Sequence, residues 1–428
     1  MELDKHAHQS KYQLYSGNVI KSLTVNNLGK LYPHQIKALL AVKAYFDSSP
    51  NIPEHPALVV APTGAGKSGI ISLLPYVLGS AKAFVLSPSL CITDQLEKTF
   101  GLKNENVKDS FVFEIGLVKE EDLNGFLERG LVIRNATAPV NMKWSNLVIV
   151  NAQKFSTRSS CRLAMPTALQ EDCDEEIRDM KAVIKKIQEN FMSFTTLIVD
   201  EAHHYPASTW DLIVKEFKGK QIVFLTATPY RGSGKDPLWK GQEITHKINQ
   251  QTLIDNNTLR PIEFREVKNS EIPWSTNFGE SDWQLKKLER IILEIINDHD
   301  RQVPGVQHKA MVLVNTIAEA EDGSAAMDRS TYYTSQDGTQ NLRAFENGLY
   351  RILFVCGRLL EGYDNSEISV CVILRNVGSP GIFTQFVGRC IRTNPKDGSD
   401  TVTAVVLSPE VYKQQKNFNE YKNYNGLI

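Results

Sequence analysis

The chain has 428 residues, 42% hydrophobic and 23% charged, with a formal net charge of −1. That length excludes one ordinary core, and the balance is that of a soluble globular protein, so two domains are expected. Near-zero net charge excludes a strong global field, so a nucleic-acid partner would have to be held by a local groove.

The N-terminal stretch "MELDKHAHQSKYQLYSG" is polar and lacks a signal-peptide core. Residues 1–30 are read as an N-terminal extension. No run approaches the roughly 18 apolar residues of a membrane span. Six cysteines are scattered without a C-x-x-C pair, which fits a reducing intracellular compartment and a soluble protein.

Next in the chain, "QIKALLAVKAYF" reads as a helix. "ALVVAPTG", "KAFVLSPS", "NLVIVNAQ", "TLIVDEAH" and "QIVFLTATP" follow, all before about residue 230. Each is short, apolar and not alternating, as strands buried on both faces of a parallel sheet are. Residues 103–143 and 157–193 exceed a simple crossover and read as insertions. The second holds a helical segment, "EEIRDMKAVIKKIQENF", and the acidic patch "EDCDEE", a solvated face. The polar stretch around 241–262 reads as an inter-domain connection. Beyond it come the helix "DWQLKKLERIILEIIND" and four more buried strands, "KAMVLVNT", "YRILFVCG", "VCVILRN" and "TVTAVVLSP". The expected architecture is α/β, two tandem parallel-sheet lobes at 31–240 and 263–428 with a cleft between them.

Two segments carry chemistry on their own. "LVVAPTGAGKSG" is a strand, a Gly-rich loop and a helix start with P-loop spacing from Ala61 to Ser68. Thr63, Gly64, Ala65 and Gly66 would curl backbone amides around phosphates. Lys67 would reach the β/γ-phosphates and Ser68 would ligate Mg²⁺. "LIVDEAHH" puts Asp200 and Glu201 at the carboxyl end of a buried strand, where α/β sheets bind ligands. Three readings of that cluster stand: a transition-metal site, a metal-assisted ATPase site and a polar loop. Helical zinc pairs use H-x-x-x-H spacing, which His203 and His204 lack. Asp200 fits Mg²⁺ opposite the P-loop, and Glu201 fits a base for the attacking water.

Asp200-Glu201-Ala202-His203 spells DEAH, and further segments fall in the order of the superfamily 2 helicases. "LYPHQIKAL" resembles their adenine-reading motif, "LSPSLCITDQL" motif Ia, "FLTATPYR" motif III, "FVCGRLLEGYDN" motif V and "QFVGRCIRT" motif VI. L-x-E-G-x-D followed by F-x-Q-x-x-G-R-x-x-R looks most like the motor lobes of type I and type III restriction enzymes. The resemblance runs from about Leu31 to Pro409 and implies RecA-like lobes, ATP and Mg²⁺. It implies adenine contact by Gln35 and nucleotide contact by Gly362 and Asp364. It implies arginine fingers at Arg389 and Arg392, three apart and so expected on one helix face. It implies coupling through His203, Thr226, Thr228 and Gln385. Ser87, Asn151, Asn315 and Thr316 are read as nucleic-acid contacts at strand ends. The expected activity is ATP-dependent helicase or translocase work, on DNA rather than RNA, with a nucleic-acid-gated switch as the alternative. Partner subunits supplying nuclease or specificity functions are implied as well. The last expected strand ends about twenty residues before the end of the chain, as in a nearly bare motor.

Overall fold

The computed structural model describes residues 31–102, 111–116, 130–133, 145–151, 193–204, 208–231, 236–237, 241–274, 282–336, 338–357, 359, 363–393 and 400–427. The extension 1–30, most of both insertions with the expected helix in the second, and Gly362 lie outside them. The chain divides into two compact units. One comprises Met1–Ala61, Gly66–Arg231 and Lys235–Ile248, the other Pro62–Ala65, Gly232–Gly234 and Asn249–Ile428.

The first unit opens with α1 (Pro33–Asp47). Pro33 stands at the first helical position, where a missing N–H is no loss. There follow β1 (Ala57–Val60), α2 (Lys67–Val77), β2 (Ala83–Ser87), α3 (Leu90–Phe100), the single turn α4 (Phe111–Glu114), β3 (Gly130–Ile133), β4 (Leu147–Asn151) and β5 (Thr196–Val199). A 3-10 turn (Ala202–His204) leads to α5 (Ser208–Glu216) and β6 (Gln221–Thr226). The unit ends with an antiparallel pair, β7 (Tyr230–Arg231) and β8 (Asp236–Pro237), and with β9 (His246–Lys247). Seven strands form a parallel sheet in the order β3-β4-β2-β5-β6-β1-β9. Strands β1, β2, β4 and β5 are buried at every position, as strands covered on both faces must be. Phe84, Phe194, Phe217 and Phe224 centre its core.

The second unit runs through α6 (Gln250–Asp255), β10 (Ile262–Val267), α7 (Asp282–Gln302), β11 (Lys309–Leu313), α8 (Ile317–Ala326), β12 (Ser330–Tyr333) and α9 (Gln340–Glu346). It continues with β13 (Ile352–Val355), β14 (Ile368–Ile373), α10 (Pro380–Val387), β15 (Ala404–Pro409), a 3-10 turn (Glu410–Tyr412) and α11 (Gln415–Asn425). Its parallel sheet has the order β10-β15-β14-β11-β13-β12. Helix α7 lays Leu285, Leu288, Ile292 and Ile296 on that sheet at helical spacing.

All nine expected strands are present. Among the described residues, the four further strands of the two parallel sheets, β3, β9, β10 and β12, are all edge strands. Edges carry charge and short runs, which blunts the apolar signal. In β10 the charged residues Glu263, Arg265 and Glu266 interrupt it. Residues 241–262, read as a connection, hold β9, which pairs with β1, and α6, and reach the start of β10.

Candidate functional site

In the first unit, β6 lies between β1 and β5, with Val60 opposite Thr226 and Val199 opposite Phe224. The loops after all three strands therefore leave from one carboxyl edge, strand spacing being about 4.8 Å. Ala61 N donates to Thr226 O at 2.9 Å, so the ladder holds up to the P-loop. Gly64 and Gly66 have φ of +85° and +74°, which L side chains rarely adopt. Gly66 caps α2 without a side chain, so the amides of the first turn face outward with the positive end of the helix dipole. Lys67 and Ser68 open that helix, and Thr63 and Ala65 are buried in the loop.

Gln35 is 3% exposed and ties α1 to this loop. Its Oε1 accepts from Tyr32 N at 3.1 Å, and its Nε2 donates to Gly66 O at 3.1 Å. A Cβ on Gly66 would lie 2.5 Å from Gln35 Nε2. Beyond these two bonds the Gln35 amide keeps one N–H and one acceptor lone pair, as the adenine contact implied by the resemblance would require.

After β5 the backbone turns sharply. Glu201 has φ of +47°, a strained value for a residue with a Cβ. Asp200, 4% exposed, holds the turn, its Oδ1 accepting from Glu201 N at 2.9 Å. The turn brings Glu201 Oε1 to 2.8 Å from Lys67 Nζ. Burial pushes the Glu201 carboxyl up, but the Lys67 charge and the neighbouring His203 outweigh it and hold the group well below the usual carboxylate range. Glu201 Oε2 lies 3.4 Å from His203 Nδ1. The same nitrogen is 3.1 Å from Thr226 Oγ1, which accepts from Thr228 N at 3.0 Å. A polar chain thus runs from Lys67 through Glu201 and His203 to Thr226 and Thr228.

The residues fit a nucleotide and a hard cation. Lys67 Nζ and Glu201 Oε2 are buried without a hydrogen bond of normal geometry, although the two side chains form an ion pair. Buried polar atoms left so are atypical unless something else satisfies them. Among the described residues no group of three or more His, Cys, Asp and Glu is placed to hold a metal ion. Mg²⁺ needs no such cage, since it is bound by one or two protein oxygens with phosphates and waters. Ser68 and Asp200 are of the right type.

In the second unit the expectation for the arginine pair needs correction. Helix α10 ends at Val387, so Arg389 and Arg392 follow it in a turn rather than sharing a helix face. Pro380 and Gly388 set its limits. The arginines nevertheless converge, because Nη1 of each donates to Tyr363 O, that of Arg392 at 3.2 Å. Arg392 also pairs with the exposed Asp364. Gln385 is buried in α10. Tyr363 escaped the sequence reading because its role is a backbone carbonyl, which leaves no side-chain signature.

The expected nucleic-acid contacts separate. Asn315 and Thr316 are exposed after β11. There they form a cap for α8, with Glu319 N donating to Thr316 Oγ1 at 3.1 Å and Asn315 N to Glu319 Oε2 at 2.7 Å. Ser87 and Asn151 have no exposed surface. Ser87 bonds Ser89 O at 3.0 Å and Thr93 Oγ1 at 2.8 Å, which organises the start of α3. Both side chains are buried where the expectation needs them at the surface.

Two parallel α/β units, one with Lys67 beside an Asp-Glu turn and the other with an arginine pair, make a RecA-like fold. Comparisons with known proteins narrow that class. Residues 28–231 match the family model of the type III restriction enzyme, res subunit. The putative ATP-dependent helicase IRC3 of Saccharomyces cerevisiae is 23% identical over 245 residues, which span 52% of this chain and 35% of that protein. A fragment of a putative HsdR subunit of a type I restriction enzyme from Vibrio vulnificus superimposes with a TM-score of 0.59 at 16% identity, over 92% of this chain and 66% of that one. The ATP-dependent type ISP restriction-modification enzyme LlaBIII, bound to DNA, superimposes with a TM-score of 0.55 at 14% identity, over 92% of this chain and 30% of that one. The chain therefore spans less than two thirds of each of these relatives. Over residues 28–231 it resembles that family, and its fold is similar to those of the two restriction-enzyme proteins. Among the described residues no helix is long and apolar enough to cross a membrane.

Proposed function

We propose that this chain hydrolyses ATP with Mg²⁺ and uses the turnover to move along or open DNA. The observation that carries the reading is the buried Lys67–Glu201 pair at 2.8 Å, joined through His203 to Thr226 at the end of the neighbouring strand. When bound, Mg²⁺ would neutralise phosphate charge beside Ser68 and Asp200. Lys67 would exchange Glu201 for a phosphate oxygen, and the released Glu201, already anionic, would take the proton of an attacking water. Arg389 and Arg392 would stabilise the charge that develops on the γ-phosphate. His203, Thr226, Thr228 and Gln385 would report the state of that site, and Asn315 and Thr316 would touch the nucleic-acid backbone. The lean toward DNA, and toward partner subunits that cut or specify sequence, rests on the restriction enzymes that this chain resembles.

Strand-displacement and triplex-displacement assays with the purified chain test the reading. ATP-dependent displacement on DNA, lost in Glu201→Gln, supports it. Triplex displacement without strand separation would make the chain a translocase. ATP turnover with neither would favour a nucleic-acid-gated switch.

A further inference from the structure

The second unit holds an arginine, Arg260, outside all the motif segments named above. Arg260 lies two residues before β10 and has no exposed surface. Its Nε donates to Asp400 Oδ1 at 3.2 Å, and its Nη2 pairs with Asp400 Oδ2. The remaining donors all go to main-chain carbonyls: Ser366 O at 2.7 Å, Ile368 O at 2.7 Å and Cys390 O at 3.1 Å. These acceptors belong to the two segments that hold the arginine pair. Ser366 follows Tyr363 and Asp364, and Cys390 sits between Arg389 and Arg392. The backbone repeats the grip, with Arg260 N donating to Ile391 O at 2.7 Å. Leu259 is bridged to Arg392, and Thr393 Oγ1 donates to Thr258 O at 3.1 Å.

We infer that the Arg260–Asp400 pair is a positioning clamp that fixes Arg389 and Arg392 against the Tyr363–Asp364 turn in the geometry used for ATP hydrolysis. The inference rests on the ATPase reading above. Two arguments separate a clamp from mere packing. Desolvating an ion pair rarely adds net stability, so a buried pair is poorly explained by stability alone. A planar guanidinium can also satisfy a carboxylate and three carbonyls at once, whereas an ammonium has three donors on one centre. What Arg260 supplies is the relative placement of two loops that hold the arginines.

The test compares wild type with Arg260→Lys, Asp400→Asn and Arg389→Ala in the full chain. Melting temperature, kcat and KM for ATP with saturating DNA, and amide exchange over residues 388–393 are measured on each. Arg260→Lys should fold, speed exchange in that segment at least tenfold and lower kcat at least tenfold, with KM changed less than threefold. Adding it to Arg389→Ala should cause less further loss than in wild type, leaving only the part that acts through Arg392. Should Arg260→Lys fail to fold, Asp400→Asn, which leaves the carbonyl bonds in place, must show the same pattern at smaller size. Unchanged exchange, a loss confined to KM, or losses that multiply in the double variant would overturn the clamp. If wild type shows no DNA-stimulated turnover, the ATPase reading fails, and with it the catalytic purpose of the clamp. Exchange alone then reports whether Arg260 holds the turn.

Discussion

The two sheets present their chemistry from opposite edges. In the first unit Lys67, Glu201 and Thr226 stand at the carboxyl ends of β1, β5 and β6, or just beyond. In the second, the arginine pair rests on Tyr363, five residues before β14, and on the Leu259–Arg260 segment ahead of β10, at the amino edge. The supports differ too. The first site is held by its own motif residues, Lys67 reaching Glu201 past β6 and His203 reaching Thr226 on the adjacent strand. The second is held by main-chain carbonyls and by Arg260 and Asp400, which no motif marks. Reactive groups on adjacent strand ends need little else to align them. Groups on a turn after a short helix need a scaffold.

Breaking the first site should have the largest effect. Lys67→Ala should lower kcat by roughly 10³-fold and Glu201→Gln by roughly 10²- to 10⁴-fold, as read by phosphate release. Arg389→Ala should come next, with roughly a 10³-fold loss. A wild-type rate there would leave the second unit without a catalytic part. His203→Ala sharpens the comparison. Basal turnover should stay within a few-fold, while stimulation by DNA falls roughly tenfold, since the link from Glu201 to Thr226 is cut. Gly66→Ala should destabilise by roughly 1–2 kcal/mol from its positive φ, with a further loss from the clash with Gln35 Nε2. Trimming Gln35 to Ala in the same chain should recover the second part only, measured by denaturant melts.

The smallest effect concerns pH. His299 is buried beside Ser369, its Nδ1 2.8 Å from Ser369 Oγ, with the His308 ring at 5.4 Å. Burial, then the charges of His308 and Arg260, push it down to about 4, against the pull of Asp298 and Asp400. Between about pH 6.5 and 4 the unfolded chain therefore binds the extra proton, so stability falls as pH falls through that window. His299→Gln should flatten that slope in melts of the second unit. Asp400 titrates lower. Burial raises it, but hydrogen bonds from His308 and Arg260 win and hold it at about 2. Its contribution is present above the ordinary carboxylate range and is lost only as pH falls toward 2.

The interior strands and the P-loop were legible in the sequence because burial on both faces demands unbroken apolar runs and phosphate loops demand glycine. The edge strands were not: β3 lies in a stretch read as an insertion, β9 has two residues, charge interrupts β10, and β12 is the polar run Ser330–Tyr333. The pairing of Lys67 with Glu201 could be expected from strand-end logic. The positive φ of Glu201 could not, because nothing in "VDEAHH" announces strain. Arg260 was hidden in a stretch read as a connection, and Asp400 in a turn-like "DGSD". Their roles arise from long-range contacts, since they stand 140 positions apart in the chain.

The most direct test of the account is ATP turnover with and without DNA over a salt series, wild type beside Glu201→Gln. The account predicts turnover that DNA stimulates, stimulation that weakens as salt screens the phosphate contacts, and no stimulated turnover in the variant. A wild-type rate indifferent to DNA at every salt concentration, or equal turnover in Glu201→Gln, would contradict it.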